Sequence, residues 1–169
     1  MTLEIIVSQY IAAFVQWGFL MTFLYSIVTS INKKDKALVF LSFVMFSSYS
    51  ASIFVAIDTI TYFEYFAFDI FTLATIVILG RYITKAAAYY YLLIGLMINA
   101  SLFFGMHYDI FITENYQPWW FWSVYSFGVN VIDLMMICAL VINRDFLGLM
   151  KLKGFLFGTL KNAKISLRS

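Results

Sequence analysis

Charged residues are scarce in this 169-residue sequence: 12% of the residues are charged, whereas 63% are hydrophobic. A soluble domain carries about 25% charged residues, because a small fold leaves much of its surface in water. The composition therefore excludes an ordinary soluble domain. It indicates that most of the surface faces the hydrocarbon of a lipid bilayer.

Helix-breaking residues are also few, with one proline and eight glycines in the whole chain. Backbone amides in hydrocarbon must be satisfied within a helix or a closed barrel, and a barrel would show alternating segments of about ten residues. The apolar runs here last about twice as long. We therefore predict an all-α, polytopic transmembrane helix bundle.

The residues that most often carry chemistry are almost missing. Cys138 and His107 are the single cysteine and histidine, which excludes an intrachain disulfide, a two-histidine metal site and a histidine-based triad with a spare ligand. A glycine-rich phosphate loop is absent as well. We expect no enzymatic activity, no cofactor, no metal and no nucleic-acid partner, since His107 with Asp109 and Glu114 would bind a metal only weakly.

Apolar runs of membrane-spanning length occur five times, and the connections between most of them are short. We predict that a bundle formed by residues 1–145 is followed by a basic tail, residues 146–169. The chain has no lysine or arginine before Lys33, so we read Met1 as the mature start rather than as part of a cleavable signal peptide. The predicted spans are residues 5–31, 37–57, 63–82, 86–106 and 119–143.

Positive charge segregates along these spans. All eleven basic residues fall in alternate connections, at the very end of the third span or after the last span, so a five-span chain holds them on one side of the membrane. The positive-inside rule places that side in the cytoplasm, with the N-terminus outside and the C-terminus inside. The eleven are Lys33, Lys34, Lys36, Arg81, Lys85, Arg144, Lys151, Lys153, Lys161, Lys164 and Arg168.

The tail has the pattern of a basic amphipathic helix. Leucines recur from Leu149 to Leu167 on one stripe, and basic residues lie to one side of it. Such a helix lies in the headgroup plane of an anionic inner leaflet, or it docks a cytoplasmic protein. The basic residues are Lys151, Lys153, Lys161, Lys164 and Arg168.

Polar residues inside the membrane are costly and are the first place to look for function. Asp133 lies about 20 Å into the fifth span, at the end of a one-face stripe formed by Ser123, Ser126, Asn130 and Asp133. One interpretation is that this stripe lines a path in which Asp133 binds a cation or a proton. The other is that Asp133 only holds neighbouring helices together through hydrogen bonds. Asn99 and Asp69 on other spans are possible neighbours, although Asp69 is expected to reach the outer headgroup region.

These observations favour a small oligomeric protein of the cytoplasmic membrane that forms or regulates a path for ions or protons. A structural or regulatory subunit that recruits a cytoplasmic partner through the basic tail is the first alternative. A small-solute carrier with Asp133 as its coupling site is the second. All three place the chain in contact with the bilayer, as a homo-oligomer or as a subunit of a membrane complex.

The orientation generates a direct prediction. Reporters that are active only on one side of the membrane, fused to either terminus, are expected to locate the two termini in opposite compartments, with the C-terminus in the cytoplasm. Two termini in the same compartment would contradict the five-span arrangement.

Overall fold

The computed structural model describes residues 2–55 and 62–145 together with Gly148, and the side chains of residues 10–52, 62–145 and 148. Every regular element among them is helical, which confirms the predicted all-α architecture for this part of the chain. The helices begin and end within three residues of the predicted spans. They are α1 (Thr2–Ser30), α2 (Ala37–Val55), α3 (Tyr62–Leu79), α4 (Ala87–His107) and α5 (Trp120–Ile142).

Four of the helices contain segments long and apolar enough to cross a membrane: Tyr10–Ser30, Tyr62–Leu79, Ala87–Ile112 and Trp120–Ile142. The described apolar part of α2, Ala37–Ser52, is shorter. Large apolar side chains cover the outer surface, and Phe71 and Phe127 are 72% and 74% exposed. An apolar exterior of this kind matches a hydrocarbon solvent rather than water.

Each helix packs against its neighbours in the chain, and α5 also packs against α1, so the five helices close into a ring. The side-chain contacts fix their directions, because early residues of one helix meet late residues of the next. Among helices that are neighbours in the ring, only α1 and α5 run parallel to each other, because an odd number of alternating helices brings two of the same direction together where the ring closes. The contacts are Ser26 with Ser42 between α1 and α2, Ser48 with Thr72 between α2 and α3, and Tyr65 with Phe103 between α3 and α4. Asn99 meets Asp133 between α4 and α5, and Gly18 lies beside Ile137 between α1 and α5.

Alternating directions bring residues 31–36, residues 80–86 and the end of α5 to one end of the bundle, which we call the basic end. It holds all the lysines and arginines that the structure describes. The Thr84 hydroxyl donates to the Asp35 carboxylate and so joins two of these segments. The backbone N–H of Ala37 donates to the same carboxylate. Those bonds, the one from Thr84 above all, hold the pKa of Asp35 below its ordinary value.

The opposite end, which we call the acidic end, holds the connection between α4 and α5. The chain continues from α4 into a π-helical turn, Tyr108–Ile112. Asp109 organises the segment that follows, because the indole Nε1–H groups of Trp119 and Trp122 each donate to its Oδ2 at 2.8 Å. Among the described residues there is no group of three metal-ligating side chains, and Asp109 is an acceptor for this loop instead.

Apolar side chains fill the half of the bundle nearer the basic end. They form one buried cluster with contributions from all five helices, and we call it the apolar layer. Its fully or almost fully buried members are Phe19, Leu41, Met45, Ile76, Ala88, Leu92, Leu96, Met136 and Leu140, each 0–2% exposed. Close packing of this kind leaves no room for water.

Small residues allow the close approach of helices, as expected for packing in a membrane bundle. A Cβ on Gly95 would lie 2.6 Å from the Met136 sulfur on α5, and one on Gly18 would lie 2.6 Å from Ile137. Apart from Gly148, the predicted tail lies outside the described residues, and so do its basic residues Lys151, Lys153, Lys161, Lys164 and Arg168.

Gly80 provides a test of packing where α3 turns toward α4. A Cβ at this position would lie 2.5–2.7 Å from three atoms of the buried Tyr89 ring. We expect Gly80→Ala to lower the free energy of unfolding by about 1–3 kcal/mol, the usual cost of overpacking. Gly128→Ala is the matched control, because the atom it would meet is the end of the Leu102 side chain, at 3.2 Å. Equal thermal stability of the two variants in detergent would contradict this packing.

Candidate functional site

A cavity of about 400 Å³ lies inside the ring, in the half nearer the acidic end. All five helices contribute to its wall, so it is a feature of the bundle rather than a groove between two helices. Two buried carboxyl groups, Asp69 and Asp133, line it. The full set of lining residues is Ala12, Val15, Gln16, Ser48, Tyr49, Ser52, Tyr65, Phe68, Asp69, Phe103, Tyr125, Val129, Asn130 and Asp133.

Asp133 lies at the inner end of this cavity and is 5% exposed. The Tyr49 hydroxyl on α2 donates to its Oδ1. The Asn99 amide on α4 donates to the same oxygen at 2.7 Å. Two neutral donors from two other helices thus hold one oxygen of the carboxyl, while Oδ2 receives neither bond.

Asp69 is the second carboxyl of the cavity. It lies about 10 Å along α3 from the first residue of that helix, and it is 8% exposed. The expectation from the sequence was a side chain that reaches the outer headgroup region, but the neighbouring helices enclose it. Its buried Oδ2 has no hydrogen-bond partner. An unpaired buried acceptor is costly, which marks a place where a donor from a ligand or water fits.

The polar stripe of α5 divides between two surroundings. Asn130 and Asp133 line the cavity, and Asn99 joins the site through its bond to Asp133. Ser123 and Ser126 are exposed on the half of α5 nearer the acidic end and do not contribute to the cavity wall. The Asn130 amide donates to the Ser126 carbonyl at 2.6 Å, so it is held on its own helix.

Three tyrosines of the cavity were not identified from the sequence. Tyr49 contacts Asp133, and Tyr65 and Tyr125 form the walls. A tyrosine in an apolar run resembles an interfacial anchor, and its contact with a residue 84 positions away depends on how the helices are arranged. Ser48 and Ser52 also line the cavity.

The cavity contains carboxyl groups, and the described basic residues lie away from it. The described lysines and arginines all lie in segments at the basic end, and the apolar layer separates them from Asp133. A carboxylate in low dielectric without a cationic neighbour is unfavourable. A bound proton or cation would offset this cost, and the polar surface of the cavity lies on the acidic-end side.

Comparison of the chain with protein-family models, curated proteins and solved structures finds no match. The interpretation of the site therefore depends on its geometry and chemistry.

The bonds to Asp133 generate a prediction about stability. Removal of the hydroxyl in Tyr49→Phe leaves the buried carboxyl with fewer donors, and we expect a loss of about 1–3 kcal/mol in the free energy of unfolding. Tyr82→Phe is the matched control, because Tyr82 is 83% exposed. Thermal denaturation in detergent measures both, and a Tyr49→Phe protein as stable as the control would show that the bond contributes nothing.

Proposed function

We propose that this chain is a five-span protein of the cytoplasmic membrane that takes up protons or cations from the outer side into the cavity lined by Asp69 and Asp133. In this proposal the N-terminus is outside, the C-terminus is in the cytoplasm, and the acidic end faces outward. The segregation of basic residues supports this orientation, because the lysines and arginines of the described loops gather at one end.

The single observation that carries the proposal is the presence of two carboxyl groups in one cavity that has no cationic side chain beside it among the described residues. Ionisable groups at membrane depth mark ion and proton pathways more often than other features do. The bonds from Tyr49 and Asn99 keep Asp133 in place. Cation or proton uptake neutralises the carboxyl groups.

The apolar layer blocks a continuous path for ions or protons through a single chain. It fills the interior between Asp133 and the basic end, so a continuous aqueous path through one chain requires either a rearrangement of the helices or a second copy. A path between copies is consistent with the exposed serines Ser123 and Ser126 on the outer half of α5. A homo-oligomer remains part of the proposal on this ground.

The second candidate is a small-solute carrier. A cavity that is lined by polar groups toward one end and closed by packed apolar side chains toward the other is the arrangement that alternating access requires in one of its states. The recruiting role of the tail stays a prediction from the sequence, because that segment lies outside the described residues.

Flux measurements test the proposal. Purified protein in liposomes is expected to carry protons or monovalent cations when a membrane potential is imposed, and Asp133→Asn is expected to reduce the rate by about tenfold or more. Glu114→Gln is the matched control, since it removes one negative charge from an exposed loop at the same end. Absence of flux from wild-type liposomes, or full flux with Asp133→Asn, would refute the proposal.

A further inference from the structure

We infer that the cavity binds a small organic ammonium ion, with its charged nitrogen between the carboxyl groups and its apolar body against the aromatic wall. This inference rests on the proposed function and names the class of cation. It is argued from the size of the cavity, from its unused hydrogen-bond acceptors and from its aromatic residues.

The size of the cavity favours an organic cation over a bare metal ion. The cavity of about 400 Å³ lies within the range of small-molecule sites, which is roughly 300–1,000 Å³. A dehydrated calcium ion instead needs six to eight oxygens at about 2.3–2.6 Å. The described residues contain no group of three side chains of the kind that hold a metal. The space is thus too large and too poor in ligands for such an ion.

The two carboxyl groups of the cavity have acceptor atoms that the protein does not use. Asp69 is more than nine-tenths buried, lines the cavity and has an Oδ2 atom without a partner. Both donors to Asp133 reach its Oδ1 and not its Oδ2. A ligand that satisfies these atoms must donate hydrogen bonds and carry positive charge. A protonated amine does both, because its nitrogen bears up to three N–H groups.

Aromatic side chains form another part of the wall. The rings of Tyr65 and Phe103 stack with their centroids 5.1 Å apart, and Phe103 meets Tyr125 edge to face at 5.6 Å. Phe68 adds a fourth ring. Such rings bury the apolar body of a ligand and attract an ammonium group through cation–π interaction. The rings also pack on one another, which fixes the shape of the site before a ligand binds.

The charge of the site excludes other ligand classes. Two carboxyl groups disfavour an anion, and a neutral ligand of the same shape cannot neutralise them. Because the described cationic side chains all lie at the basic end, none of them occupies the place of the ammonium group.

Binding to the full-length protein in detergent tests the inference, with benzylamine as the probe and benzyl alcohol and benzoate as neutral and anionic analogues. We expect benzylamine to bind with a Kd below about 1 mM by calorimetry and to raise the thermal midpoint. The two analogues should do neither. Asp69→Asn should weaken binding by about tenfold or more, while Glu114→Gln should leave it unchanged.

A second variant separates loss of binding from loss of folding. Phe68→Leu keeps both carboxyl groups and removes one ring, and we expect it to weaken benzylamine binding without abolishing it. Equal binding of benzylamine and benzyl alcohol, or wild-type affinity in Asp69→Asn, would overturn the inference. Proton or potassium flux in liposomes without benzylamine binding would overturn it while leaving the proposed function intact, and absence of both would refute the two together.

Discussion

The cost of placing a carboxyl group in a medium of low dielectric constrains the rest of this structure. Asp133 lies inside a bundle whose outer surface is apolar, and no lysine or arginine among the described residues is near it. The protein meets the cost in part with neutral donors, since Tyr49 and Asn99 come from α2 and α4 to the same oxygen of a residue on α5. Three helices are thereby fixed against one another at the depth of the site. A bound proton or cation would offset the rest of this cost.

The arrangement of the helices places the buried carboxyl groups in one half of the bundle. An odd number of alternating helices closes into a ring in which α1 and α5 run parallel, and the interior then divides into two halves. The half nearer the basic end is packed with leucine, methionine, phenylalanine and isoleucine, and the half nearer the acidic end holds the cavity. Asp109 orders the loop at the acidic end by accepting from two tryptophans. The division gives the cavity a single side from which a proton or cation can arrive.

Much of the fold could be predicted from the sequence, because long apolar runs and the positions of lysine and arginine depend on the membrane rather than on tertiary contacts. Asp133 and Asn99 could also be identified, since polar residues stand out in apolar runs. The enclosure of Asp69 could not be predicted, because the position of Asp69 along α3 does not indicate which helices cover it. Tyr49 was missed for the same reason: its role depends on the closing of the ring, and a tyrosine in an apolar run carries no distinctive pattern.

Accessibility of the cavity from the outside tests the central claim most directly. In a chain whose only native cysteine is replaced by Cys138→Ser, the variant Ser52→Cys places a thiol on the cavity wall. A small, membrane-impermeant cationic thiol reagent is predicted to label it when added to the outside of intact cells, whereas Leu96→Cys in the apolar layer stays unlabelled. Labelling of Ser52→Cys only from the cytoplasmic side, or equal labelling of the two positions, would contradict a cavity that opens outward and ends above a closed layer.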